Sequence, residues 1–518
     1  MSEEEQKVPE TEQPAEVTET AQSPHKGFFG KVDNWFGITK SGSNYKKEII
    51  AGVTTFMAMV YILMVNAGMF QYVIGGDNPY GAAYIATAIG AVAGTLLMAF
   101  LAKMPLAQAS GMGVNAFIVF TLIGPFSPNP SGLTYANCMV FTLIDGAVFI
   151  ILTATGLRQK IFGAIPKAVR YAIPVGIGLF IAFIGMQNAG IITYNESTLV
   201  QFANFNVLDK GNNFATFHEG VVGGILPAII AILGVLAIAI MSKKKVKGAI
   251  LWGILGSAVL YYVFAAIGLA AGDEACKAIF NSISLDNPFK AFGAWGKDSV
   301  GKVFSEGFDF SGYLGIEGNN GGTLVVLLIT TALSLCMIDM FDTIGTLYGA
   351  CSKGDLLDEN GVPLRMNRMM LCDAVATCVG AVAGTSTVTT FVESSSGVAV
   401  GGRTGFTALV TAILFAVAMF LSPIAQLIPS AATATALIWV GVLMMTSVVK
   451  IDWEDAAEAI VAFLTFIVMV LGYSISKGIG IGIIAYIVVK LCTGKIKEIS
   501  IPTWVIGVLF LATFILTT

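Results

Sequence analysis

Beyond residue 47 the chain alternates long apolar runs with short polar or glycine-rich breaks, almost to its C-terminus. Each run is close to the roughly 20 residues a helix needs to cross bilayer hydrocarbon. The pattern predicts spans at about 48–70, 82–103, 106–123, 135–156, 170–190, 221–241 and 248–271. After a polar excursion over 272–321 come about 322–350, 368–384, 385–400, 404–420, 430–448, 455–473 and 477–491. A last apolar piece, 501–517, reads either as a further span or as a helix lying against the bundle. Ahead of the first run, residues 28–47 look like an amphipathic lead-in with interfacial Phe29, Trp35 and Phe36. Residues 1–27 are rich in Glu, Thr, Gln and Pro and predict a disordered tail. The tail lacks the basic start and apolar core of a signal peptide.

Composition agrees with that reading. Of 518 residues, 55% are hydrophobic and only 12% charged, where soluble domains carry about 25% charge. The chain reads as an all-α polytopic membrane protein. A net charge of −4 and the lack of basic stretches interleaved with aromatics argue against a nucleic-acid partner. Seven cysteines, mostly in apolar runs, imply no disulfide framework. The two histidines, His25 and His218, sit in a tail and a loop and give metal catalysis no ligands to start from.

Basic residues orient the bundle. If the spans alternate, Lys46, Lys47, Lys103, Arg158 to Arg170, Lys243 to Lys247, Arg365, Arg368, Arg403, Lys450 and Lys495 fall on one side. The other side holds Lys210, the lysines of the 272–321 loop and Lys477. The N-terminus is therefore expected to be cytoplasmic, and the 272–321 loop to be external and to join two halves.

The halves resemble each other. Ala86 to Thr95 recurs as Ala376 to Thr385 with two differences, and an Ile-Pro pair opens both the fifth and the twelfth span (Ile165-Pro166, Ile428-Pro429). The glycine-rich third span, Ser110 to Asn115, has its counterpart at Thr390 to Gly397 in the tenth. Seven spans is an odd number, so the second copy is expected to be inverted. Inverted repeats with discontinuous elements at matching places are transporter architecture.

The chemistry concentrates between Leu335 and Arg403. Asp339, Asp342 and Glu393 lie there in otherwise lipid-like sequence, and a carboxylate at membrane depth is costly unless it faces a partner or a cavity. Asp339 and Asp342 are three apart and share a helix face, which Thr343 and Thr346 extend with hydroxyls. One acid suits a neutral substrate and the other a coupling proton; the structural alternative is a cap or pair at a helix end. Glu393 lies in a break, Gly384 to Gly397, between Thr389-Thr390-Phe391 and Ser394. Broken backbone at that depth is tolerated only where protein covers it or a water-filled cavity adjoins it. Phe391 suits stacking on a planar ligand or plain packing. Asn115, in the matching break, suits a heterocycle edge, or else holds the break together. Asp145 and Asp373 are read as structural, with Asp373 pairing with Arg368. Gly401 to Gly405 is too short for a phosphate loop and reads as a turn. Gly90/Gly94 and Gly380/Gly384 read as helix-packing faces.

At these residues the sequence resembles the xanthine/uracil permease superfamily of nucleobase–cation symporters. Within it the likeness is to the azaguanine-type branch of hypoxanthine, guanine and adenine permeases. The likeness runs from about 45 to 495. It is carried by Glu48 to Phe56, Gly111 to Ala116, Phe341 to Thr346, Val392 to Val398 and Gly401 to Gly405. The resemblance implies fourteen segments as two inverted sevens, with a core (48–156 and 322–420) and a gate (170–271 and 430–491). It implies short extended pieces followed by short helices in segments three and ten, with a purine base bound between them. Carried onto this chain, the base would be held by Asp342 and Glu393 with Asn115 in support; Ser394, Thr390 and Phe391, around Glu393, complete the expected substrate-binding set. Asp342, Asp339 and Glu393 become the proton-coupling candidates. The resemblance further implies a homodimer through the gate, a plasma-membrane location and no cofactor beyond a coupling ion. Protons are favoured because no cage of oxygens for sodium is visible; sodium coupling and anion exchange on the same fold are the alternatives.

Overall fold

Helix α1 (Phe28–Phe36) lies ahead of the first span. The computed structural model describes residues 27–125, 131–156, 165–205, 225–270, 274–283, 287–354, 356–359 and 361–516. The expected disordered tail, apart from Gly27, lies outside these residues, as do both histidines. The first span is two helices, α2 (Tyr45–Met59) and α3 (Tyr61–Phe70), meeting at Val60. Asn44 caps α2 by accepting from the Lys47 N–H at 2.9 Å. Helix α4 (Pro79–Leu97) has proline in its first turn, where a missing N–H is harmless. A wider turn, Met98–Ala102, continues it.

The third apolar run is not a plain helix. It is strand β1 (Gln108–Ser110), short helix α5 (Met112–Ala116) and a wide turn to Ile123. Then come α6 (Tyr135–Ala154), α7 (Lys167–Asn188), the hairpin β2 (Ile192–Asn195) and β3 (Leu199–Phe202), α8 (Ile225–Lys243) and α9 (Ala249–Ala270). The 272–321 stretch, expected as a loop, contains four short helices: α10 (Glu274–Ser282), α11 (Pro288–Asp298), α12 (Lys302–Ser305) and α13 (Ser311–Leu314). Its amphipathic pieces have helix ends and carbonyls to cover. Trp295 donates to the Ala383 carbonyl at 2.8 Å, and Asn137 reaches the Gly307 and Asp309 carbonyls at 2.8 Å.

The second half opens with α14 (Gly321–Cys351), capped by Asn320 and Thr323 reciprocally. It continues through α15 (Met366–Ala383), strand β4 (Val388–Thr390) and short helix α16 (Ser394–Ala399). The chain ends with α17 (Gly405–Ala418), α18 (Ser422–Ala425), α19 (Ser430–Met444), α20 (Ala456–Leu471), α21 (Ile475–Cys492) and α22 (Ile501–Leu516). The leftover C-terminal piece is a helix that packs on α21 and α14. Gly480 and Gly507 give it room beside Phe510 and Ile487.

Eleven helices among the described residues are long and apolar enough to cross a bilayer. Three apolar helices are shorter: Met112–Ile123, Ala456–Leu471 and Ile501–Ile515. Helices α7, α8, α9, α19, α20 and α21 pack mainly on one another; α2 to α6 and α15 to α17 form a second group. The main apolar core runs through both.

Candidate functional site

The two breaks meet. Strands β1 and β4 pair antiparallel with Gln108 opposite Thr390, Ala109 opposite Thr389 and Ser110 opposite Val388. Each supplies the backbone partners the other lacks, which is what membrane depth demands. Because the strands oppose each other, α5 and α16 leave the pair at opposite ends. The repeated decapeptide explains why the pair fits. A Cβ on Gly94 would lie 2.7 Å from Gln108 Oε1 and 2.8 Å from a Val388 methyl, and one on Gly380 would lie 2.7 Å from the Ser386 carbonyl. The small faces of α4 and α15 therefore cradle strands, where the sequence pattern predicts helix-on-helix packing. Gly384 ends α15 with φ +90°, and Tyr135 and Ser299 fill the space a side chain would need.

Glu393 sits immediately before α16 and Asp342 on α14, both half-buried. The Tyr61 hydroxyl donates to Glu393 Oε1 at 2.7 Å. Tyr61 is wholly buried at the first residue of α3, where the first span restarts. Asp342 lies within electrostatic range of Tyr61 and Glu393. A Cβ on Gly111 would come within 3.7 Å of its Oδ2. Among the described residues no lysine or arginine pairs with either acid. Two accessible carboxylates and one phenol beside a strand pair can accept N–H groups and hold a proton.

The other expected residues are spent on the breaks. Asp373 does not pair with Arg368, which is exposed. It is buried and accepts from Gln108 Nε2 at 3.3 Å, the Thr390 N–H at 3.1 Å and the Thr343 hydroxyl at 2.6 Å. A helix carboxylate thereby ties both strands to α14. Asp339, also buried, is a turn from Thr343, whose hydroxyl lies 3.5 Å from it. It does not share the half-exposed position of Asp342. Thr390 accepts from Gln108 Nε2 at 3.3 Å. Ser394 accepts from the Ala107 N–H at 3.0 Å, and Phe391 packs in the core. Asn115 accepts from Ser110 at 2.9 Å and from Ser386, and Thr385 links Ser110 onward to Asn66. Asn115 thus joins the two breaks, while its amide nitrogen finds no partner among the described residues.

Four contributors are not singled out by the sequence reasoning: Tyr61, Gln108, Thr343 in its contact with Asp373, and Glu48. Gln108 carries a readable signal, a second amide beside Asn115 in an apolar run. Tyr61 carries none, since tyrosine is common in membrane helices. The Glu48 carboxylate is sealed at the start of α17. It accepts from the N–H groups of Arg403, Thr404 and Thr407 and from the hydroxyls of Thr404 and Thr407, at 2.6–3.4 Å. The Gly401–Gly405 turn is therefore an anion site whose anion comes from the protein itself. Two of the stretches that carry the resemblance are one contact.

Apolar helices of spanning length, crossed half-strands and unpaired acids beside them define a membrane transporter. Residues 46–481 match the xanthine/uracil model of the Permease family, and the chain belongs to that family. It is 36% identical over 92% of its length to a guanine/hypoxanthine permease of Bacillus subtilis, covering 98% of that protein. It is 33% identical over 94% of its length to an adenine permease of Escherichia coli, covering 97% of it. The transmembrane domain of a cyanobacterial bicarbonate transporter aligns with TM-score 0.54 at 15% identity, over 84% of this chain and 97% of that one. The last likeness is one of fold alone.

Proposed function

We propose that this permease imports purine nucleobases (hypoxanthine, guanine or adenine) by symport with protons. The observation that carries the reading is the half-accessible pair Asp342 and Glu393 beside the crossed strands. A purine is flat and uncharged at neutral pH, with donors and acceptors alternating along its edges. Carboxylates accept its ring and exocyclic N–H groups, and backbone at the breaks completes the pattern. The curated relatives named for purines support this choice. An anion carrier on the same fold would want a cation or bare helix N-termini here, and two acids oppose that.

In this reading the chain has fourteen segments as two inverted sevens, segments three and ten being the broken ones. The helices 48–156 and 322–420 form a core that moves against a gate of 170–271 and 430–491 around a fixed site. Glu393 and Asp342 hold the base, and the free amide nitrogen of Asn115 is a further donor. Ser394, Thr390 and Phe391 shape the break from behind. Asp342 is the first choice for the coupling proton, then Glu393 and Asp339. The protein works in the plasma membrane with its N-terminus cytoplasmic, as a dimer through the gate.

Uptake of radiolabelled hypoxanthine, guanine, adenine, xanthine and uracil by cells lacking their own carriers tests the proposal. Purine uptake abolished by a protonophore, with uracil ignored, is the expected result. Dependence on external sodium would replace the coupling ion. No uptake by protein located in the membrane would overturn the substrate.

A further inference from the structure

Far along the chain from the acids, helix α1 borders an apolar groove of about 520 Å³, within the roughly 300–1,000 Å³ of ligand pockets. Phe29, Trp35, Phe36, Phe100 and Phe406 line it, with Lys31 among them. Phe28, Phe29 and Trp35 are 75%, 61% and 57% exposed. A water-facing helix would not keep three such aromatics, whereas an interfacial one does.

The charge beside the groove has one sign. Lys31, Lys40, Lys46 and Lys47 are exposed. The only acids from residue 27 to 50 are Asp33 and Glu48, and both are buried. Asp33 accepts from the Thr39 N–H at 2.9 Å and its hydroxyl at 2.6 Å, and Glu48 is taken up at α17. The groove is also held in place. Lys103 lies 4.4 Å over the Trp35 ring and donates to the Trp35 carbonyl at 2.9 Å. The Tyr45 hydroxyl donates to the Phe29 carbonyl, and Ser43 donates to the Gly401 carbonyl at 3.3 Å.

We propose that this groove is a binding site for an anionic phospholipid of the surrounding leaflet. An acyl chain lies along Phe29, Trp35, Phe100 and Phe406, and the phosphate meets Lys31, Lys46 and Lys47. A zwitterionic lipid offsets its phosphate with a cation in the same headgroup, so the lysines favour the net-anionic lipid. The site is independent of which solute the permease carries. Its bound lipid braces the same segment that caps α17 and holds the turn leaving α16.

Trp35 is a built-in probe. The full chain is reconstituted with brominated phosphatidylglycerol or brominated phosphatidylcholine, and quenching attributable to Trp35 is taken as the difference from Trp35→Phe. Half-quenching is expected at an about tenfold lower mole fraction of phosphatidylglycerol, and Lys31→Gln/Lys46→Gln/Lys47→Gln together should erase that gap. In step, the thermal midpoint should rise with phosphatidylglycerol in the parent and not in the triple variant. Coinciding curves for the two lipids, or a gap that survives the triple substitution, would overturn the site. A preference that emerges only after deleting the glutamate-rich residues 1–26 would make that tail the occupant, and would overturn it equally.

Discussion

Glu48 and Asp373 are fully buried and ringed by donors, while Glu393 is half-buried with one phenol and Asp342 half-buried with no donating side chain among the described residues. Glu48, Asp342 and Asp373 lie in helices of spanning length, and Glu393 sits at the start of the short helix α16. A carboxylate removed from water has to be compensated where it sits, and the sealed pair is compensated by the protein's own N–H and O–H groups. The half-open pair lacks that compensation, which in the proposed reading leaves it for a substrate or a proton. Burial of an acid therefore does not identify a site.

The largest effect that tests this contrast is expected at Glu48. Glu48→Ala strands the donors at the start of α17, and about 3–5 kcal/mol of stability should be lost. Thermal unfolding of detergent-extracted protein reads this as aggregation or a steep fall in midpoint. A variant melting like the parent would end the idea that the sealed acids are structural. Glu393→Gln should do the opposite, cutting purine uptake about a hundredfold while the midpoint stays put. Normal uptake would remove Glu393 from the site. Asp342→Asn should lower uptake about tenfold and flatten its dependence on external pH, since an amide cannot carry the coupling proton. A pH profile parallel to the parent's would count against that role. The smallest effect is expected at Tyr61→Phe, which deletes one hydroxyl from the Glu393 carboxylate. An about fivefold rise in KM is expected, and none on top of Glu393→Gln. Additive losses in the double variant would mean that Tyr61 acts through packing instead.

Much of this was legible in advance, for reasons that differ by residue. Breaks at Ser110–Asn115 and Gly384–Gly397 were visible because glycine, serine and threonine interrupt apolar runs, a local signal. Asp342 and Glu393 stood out because acids are rare there. The roles of their neighbours were not legible in the same way. Asp373 was assigned to Arg368 because the two are close in sequence, but its partners come from two other segments, Gln108 and Thr343. The Gly90/Gly94 face signalled close packing correctly, yet only the fold decides whether a helix or a strand fills it. The 272–321 stretch looked like loop because its helices are short and amphipathic, and they form where the tops of α4, α6 and α15 offer a surface.

Sequence alone determined that this chain belongs in a bilayer, that it is built of many apolar helices, where two of its apolar runs break and which acids lie inside apolar runs. Those properties follow from hydropathy and composition over windows of ten to twenty residues, and the bilayer reads such windows directly. Tertiary structure alone decided which acids are sealed and which are left half-open. Tyr61 meets Glu393 across 332 residues, and Glu48 meets Thr407 across 359. Contacts over such separations leave no periodicity in the chain. They arise only when two halves of the sequence close around the same pair of strands.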